Sequence, residues 1–237
     1  MTTTNDRFHE PYDREDIAYG DEPSAPLAAY LEQVAQPGKA YDVGAGAGRD
    51  TLALAKAGFD VTAIDLSDRG LERIRERASL AGVGDHVTTR EADVRDVEFP
   101  VGGLQGVVAT TVLDHIPAPD ADLVWGRMCD SLNDYGFLYV EVHTTEDPAS
   151  GVSPGRSSDA PISETADAVV NYFQPNQLAT LACDAKYRLR ILRYEERLEW
   201  DCTHGPEHLH GKAILLATRA GHHPDWYGQP AAFPRSH

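Results

Sequence analysis

Tyr41-Asp42-Val43-Gly44-Ala45-Gly46-Ala47-Gly48-Arg49-Asp50 decides how the rest of the chain is read. A short apolar strand, Ala40 to Val43, runs into a glycine turn, and the turn runs into a helix that begins Thr51-Leu52-Ala53-Leu54. Glycine at alternate positions lets the backbone bend sharply and lie against a ligand with no Cβ in the way. The helix that follows points its first, unpaired N–H groups into the same space. A nucleotide-like ligand fits such a place.

Downstream of the turn, strand-like and helix-like segments alternate. Helix 50–57 is followed by Gly58-Phe59-Asp60 and a strand at 61–64 that closes on Asp65. Ser67 or Asp68 caps a helix over 69–81 with Leu71, Ile74, Ala78 and Leu80 on its apolar side. Strands follow at 87–90, 106–110 and 136–142, with a helix over 119–132 between the last two. This rhythm predicts an α/β fold with a doubly wound, mostly parallel sheet and right-handed crossovers. Residues 143–165 break the rhythm with Ser, Thr, Gly, Pro and Asp, and a loop of that length reads as a lid. Pro175 opens a further helix, and strand-like segments at about 188–201 and 209–219 form an antiparallel hairpin, for seven strands in all. Upstream, residues 1–35 read as an N-terminal cover with a short helix over Pro26–Val34. The expected organisation is therefore cover (1–35), ligand-binding domain (36–220) and tail (221–237).

The chain has 237 residues and a formal net charge of −17. That acidity repels bare phosphate backbones, which argues against nucleic acid as a partner. Only Lys39, Lys56, Lys186 and Lys212 of the 21 basic residues are lysine, a bias that reads as adaptation to a salty solvent. No apolar run approaches the roughly 18 residues of a membrane span. The polar start, Met1 to Arg7, is unlike a signal peptide, and three scattered cysteines (Cys129, Cys183, Cys202) form no disulfide or zinc pattern. A cytoplasmic monomer or homodimer acting on a small molecule is the expectation.

Two acids extend the glycine turn. Asp65 stands 21 residues past Gly44, where a carboxylate accepts from both hydroxyls of a ribose. Asp93 follows the third strand, where the next loop passes the base of a nucleoside, and its alternative role is a helix cap. The most distinctive stretch is Asp201-Cys202-Thr203-His204-Gly205-Pro206-Glu207-His208-Leu209-His210-Gly211. On a strand, His208 and His210 share a face. If the preceding strand runs parallel to the first five, this turn sits at their C-terminal rim, together with His143 and Asp114-His115. Two chemistries compete there. In one, rim histidines (His208 and His210 first, then His204 and His143) bind or deprotonate a substrate. In the other, His204, His208 and His210, with Asp201, Glu207 or His143, hold a divalent metal. Cys202 reads as a half-buried structural thiol, Arg69, Arg73 and Arg77 as a solvated helix face, and Trp125, Trp200 and Trp226 as core or docking residues.

Asp42-x-Gly44-x-Gly46-x-Gly48, Asp65, Glu91-Ala92-Asp93 and Ala109-Thr110-Thr111-Val112-Leu113-Asp114-His115-Ile116 resemble the class I S-adenosylmethionine-dependent methyltransferases. The resemblance covers roughly 15–220 and includes Phe173-Gln174-Pro175-Asn176-Gln177-Leu178 before the last helix. Gly48-Arg49-Asp50 and Phe59 to Asp65 are most similar to the tellurite-resistance and thiopurine-like group, although the first loop reads Gly-Ala-Gly where that group more often has Gly-Cys-Gly. The resemblance implies S-adenosylmethionine as cofactor. Asp42, Gly44, Ala45, Gly46 and Arg49 would line its amino-acid end, Asp65 and Leu66 its ribose, and Asp93 and Val94 its adenine. Thr110 would stand beside the methyl, and Tyr19 would cover it. Methyl transfer to a small acceptor is the expected reaction. An NAD(P)-dependent reductase, a metal-dependent methyltransferase or other S-adenosylmethionine-cleaving enzyme using His204, His208 and His210, and a non-catalytic cofactor-binding protein are the alternatives.

Overall fold

The computed structural model describes residues 20, 22–33, 37–151, 161–163, 166–202 and 206–219. Seven strands form one sheet: β1 (Lys39–Val43), β2 (Asp60–Asp65), β3 (Val87–Glu91), β4 (Leu104–Thr110), β5 (Leu132–His143), β6 (Leu189–Asp201) and β7 (His208–Arg219). Their order is β3-β2-β1-β4-β5-β7-β6. The pairs from β3 to β5 are parallel, while β7 is antiparallel to both β5 and β6. It follows that β6 runs parallel to β1–β5, so its end at Asp201 and the start of β7 at His208 lie on their C-terminal rim, as the sequence led one to expect.

Both faces of the central strands are covered, and the pleat shows which residues go where. Val107, Ala109, Leu138, Val140, Ala213 and Leu215 pack on one face, and Val108, Phe137, Tyr139, Ile214 and Leu216 on the other. Helix α4 (Ala118–Ser131) buries Trp125 and Met128 on the first face, and α5 (Gln177–Ala182) adds Leu178. Helices α1 (Ala25–Leu31) and α2 (Arg49–Lys56) cover the second with Leu27, Tyr30 and Leu54. Helix α3 (Asp68–Leu80) docks Leu71 and Ile74 against Ala63 and the glycine turn's Ala45. Ser67 caps α3, accepting from Gly70 N at 3.1 Å.

Several expectations shift. Leu80 is 89% exposed, because α3 turns it off the sheet at its last residue. β5 begins at Leu132, four residues before the apolar run, because it pairs already with Leu104. α5 starts at Gln177, with Asn176 in the left-handed region (φ 63°), so Pro175 lies just outside it. The sequence-based helix over Pro26–Val34 ends at Leu31. Most of the 1–35 cover, part of the 143–165 lid, Thr203–Gly205 and the 221–237 tail lie outside the described residues.

Candidate active site

The glycine turn is fastened to the end of β2. Gly44 N and Ala45 N both donate to the Ile64 carbonyl, at 2.8 and 3.0 Å. Asp65 accepts from Gly46 N on one oxygen and from Ser67 N on the other, each at 2.8 Å. The carboxylate is thereby locked in position at the wall of the turn. Gly44 has φ +67°, and a Cβ there would come within 2.4 Å of the Val112 side chain. Arg77, read from the sequence as solvated, donates to the Ala47 carbonyl and is only partly exposed.

Acids dominate this end. Asp42 is 2% exposed and accepts from the Thr51 hydroxyl. Burial and the neighbouring Asp50 push its pKa up to about 7. Asp50 receives Nε and Nη2 of Arg49, both at 3.1 Å, and the Thr110 hydroxyl at 2.8 Å. Asp93 caps the turn Val94–Asp96, accepting from Arg95 N and Nε at 2.9 Å each. The bonds from Arg95 hold its carboxyl below the usual range. Asp93 thus takes the alternative role of a cap, and it also lines the site's cavity.

The opposite end is built from histidines. Asp114 is fully buried and accepts from His143 N at 2.9 Å, from His143 Nδ1 at 2.5 Å and from His115 Nδ1 at 3.1 Å. Burial opposes its charge, but the two histidines hold the carboxyl far below its ordinary value. The His143 ring stands edge-on to His210, with centroids 4.6 Å apart. His210 Nδ1 lies 3.0 Å from Asp147 Oδ2, which also accepts from Gly211 N at 3.0 Å, while Asp147 Oδ1 accepts from Ala149 N at 2.8 Å. Burial works against the Asp147 charge, and these bonds outweigh it and lower its pKa. His208 and His210 meet Nε2 to Nε2 at 2.9 Å, and His208 Nδ1 lies 2.8 Å from the Pro206 carbonyl.

A single cavity of about 430 Å³ joins the two ends. Its wall includes Asp42, Gly44, Ala45, Gly46, Arg49, Asp65, Leu66, Asp93, Val94, Thr110, His143 and His210. His208 stands behind His210 and is 2% exposed. Tyr19 and His204 lie outside the described residues. Of the expected metal group, His208 and His210 are described and His204 is not; among the described residues, ligand atoms converge in two sets: Asp201, His208 and His210, and His143, Asp147 and His210. Two sequence readings are corrected. Cys202 is exposed rather than half-buried, and Trp200, read as a core or docking residue, is 58% exposed and lines the cavity. Asp50, Asp147, Tyr172, Glu199 and Lys212 also line it and were missed. Asp147 sits in the Ser- and Pro-rich stretch, where no periodicity marks a residue.

Residues 40–136 match the family model of a methyltransferase domain. A phosphatidylethanolamine N-methyltransferase of Cereibacter sphaeroides is 31% identical over 108 residues, which is 44% of this chain and 52% of that protein. The matched stretches span between 31% and 52% of the length of the curated relatives. TehB from Haemophilus influenzae superposes with a TM-score of 0.64 at 17% identity, over 83% of this chain and 62% of that one. The 1,6-didemethyltoxoflavin-N1-methyltransferase of Burkholderia thailandensis, solved with 1,6-didemethyltoxoflavin and S-adenosylhomocysteine, gives 0.56 at 21% identity, over 83% and 77%.

Proposed function

We propose that this chain is a class I S-adenosylmethionine-dependent methyltransferase that transfers a methyl group from S-adenosylmethionine to a small-molecule acceptor, a reading supported by its methyltransferase-domain match and its fold. The observation that carries the reading is the cavity of about 430 Å³ that runs unbroken from the glycine turn and Asp65 to the rim histidines. It has room for a cofactor and, beyond it, a small acceptor.

The lining chemistry fits this cofactor. Asp42, Asp50, Asp65 and Asp93 bring carboxylates to the wall. The cations that line it, Arg49, Arg95 and Lys212, lie on Asp50, Asp93 and Glu199. Such a wall suits a sulfonium and an ammonium and disfavours a pyrophosphate, which argues against the NAD(P) alternative. Asp42, Gly44, Ala45, Gly46 and Arg49 would hold the amino-acid end, Asp65 and Leu66 the ribose, and Asp93 and Val94 the adenine. Thr110 would stand beside the methyl.

When bound, S-adenosylmethionine supplies a methyl on a sulfonium, a good leaving group. The protein's task is then to align the acceptor and exclude water. For an acceptor that must lose a proton, His143 is the best-placed base. The buried Asp114 fixes its Nδ1 as donor, which leaves Nε2 as the basic atom. His210, edge-on to the His143 ring and in the cavity wall, orients the acceptor beside it.

Calorimetry with S-adenosylmethionine against NADH tests the assignment. Binding of S-adenosylmethionine alone, with S-adenosylhomocysteine competing, is expected. Binding of NADH without S-adenosylmethionine would overturn it, and tight S-adenosylmethionine binding with no turnover on any acceptor would favour a non-catalytic binder.

A further inference from the structure

The contact between His208 and His210 brings two ring nitrogens face to face at the rim. The Pro206 carbonyl can only accept, so His208 Nδ1 carries hydrogen. Both oxygens of Asp147 accept from backbone amides, and Oδ2 faces His210 Nδ1 at 3.0 Å, so His210 Nδ1 carries hydrogen too. In the neutral rings both Nε2 atoms are then lone-pair donors, and they face each other at 2.9 Å. Two lone pairs at that distance repel unless a proton or a metal ion lies between them. Asp201 Oδ2 lies 4.0 Å from His210 Nε2, and the ligand atoms of all three residues fall within 4.8 Å of one another.

We propose that Asp201, His208 and His210 bind a first-row divalent transition-metal ion such as zinc at the rim of the cavity, with an open coordination position toward the acceptor. Two imidazole nitrogens and one carboxylate form a donor set for zinc, iron or nickel rather than for magnesium or calcium. Bonds of about 2.1 Å in a tetrahedral arrangement put ligand atoms about 3.4 Å apart. The two nitrogens part slightly from 2.9 Å and the carboxylate moves in from 4.0 Å. The surroundings are those of a metal site as well. Each ring's other nitrogen is tied down, one by a carboxylate and one by a backbone carbonyl, which is how metal-bound histidines are oriented. Gly211 lets the Asp147 turn come close enough to do this, since a Cβ there would stand 2.3 Å from Asp147 N. Asp201 and His210 line the cavity, so the ion's remaining position opens toward it. The ion's role toward the acceptor rests on the methyl-transfer reading, but its binding does not.

Untagged full-length protein, stripped with chelator and titrated with cobalt(II), gives the test. About one equivalent with visible d–d absorption, displaced by zinc, is expected. His210→Ala and His208→Gln should lose that absorption, with the fold checked by circular dichroism. Asp147→Asn should keep the stoichiometry and weaken affinity about 10- to 100-fold. His86→Ala, at an exposed histidine paired with Asp60, should change nothing. A wild type that shows no cobalt spectrum, or a His210→Ala variant that keeps it, would overturn the site. Calorimetry with S-adenosylmethionine on the same samples separates the two readings. Intact cofactor binding without the ion sinks only the metal site, and ion binding without cofactor binding sinks only the methyl-transfer reading.

Discussion

Asp42 shows how one buried carboxyl ties the fold to pH. Its pKa is near 7 in the folded chain because burial and Asp50 oppose its charge, against an ordinary value of 3.8. The folded state therefore holds a proton that the unfolded state gives up. Stability contributed by the neutral carboxyl is full below about pH 4 and declines as pH rises to about 7, then stays level. Denaturant midpoints at pH 5 and pH 8 should show this decline, and Asp42→Asn should flatten it; equal slopes in the two proteins would assign the pH dependence elsewhere. His143 makes the second case. With Asp114 fixing its tautomer, His143→Ala should lower kcat by roughly 10²- to 10⁴-fold if the acceptor needs a base. Cofactor affinity should be unchanged. An unaltered kcat would mean that the acceptor reacts without proton removal and that the ring only positions it.

Among the elements, the contact between the Asp147 turn and β7 matters most to the candidate site. Gly211 carries it, and Gly211→Ala would drive a methyl into the backbone of Glu146 and Asp147. Overpacking of this kind costs on the order of 1–3 kcal/mol. The urea midpoint should fall accordingly, and His210 should lose its Asp147 partner; a midpoint and a cobalt affinity equal to wild type would show that the turn can slide away freely. This contact also marks where sequence reading stopped. The alternation from β1 to β5 was legible because each element repeats its apolar residues at its own period, and the acids of the glycine turn were legible because they stand at a fixed spacing from it. The rim position of His208 and His210 followed from strand direction alone. Asp147 was not legible. It meets His210 across 63 residues, from a stretch with no period, and only the folded sheet brings the two together. Arg77 was misread for a related reason, since a helix that looks solvated by its charges can still reach a neighbouring loop with one long side chain.

At the scale of the whole molecule, two electrostatic effects oppose each other as salt rises. Along the sheet edge, β6 carries a ladder of ion pairs: Arg193 with Glu195, Glu195 with Arg197, Arg197 with Glu199, and Glu199 with Lys212 of β7. These charges also discourage another strand from pairing there. Salt weakens such pairs, but exposed pairs contribute only about 0–1 kcal/mol each. Against them stands the formal net charge of −17, whose self-repulsion disfavours the compact state. The screening length falls from about 10 Å at 0.1 M salt to about 3 Å at 1 M. Most of the repulsion between separated surface carboxylates is then removed, while close pairs at contact distance keep part of their attraction. The repulsion should win. The melting temperature is expected to rise by several degrees between 0.1 and 1 M KCl, where about 1 kcal/mol corresponds to roughly 2–4 °C for a chain of this size. Glucose or sucrose at matched osmolarity should not reproduce the full gain, because neither screens charge. A melting temperature that falls with KCl would mean that the ion pairs outweigh the excess acidity, and the acidic composition would then have to be explained by what the surface binds rather than by the solvent it meets.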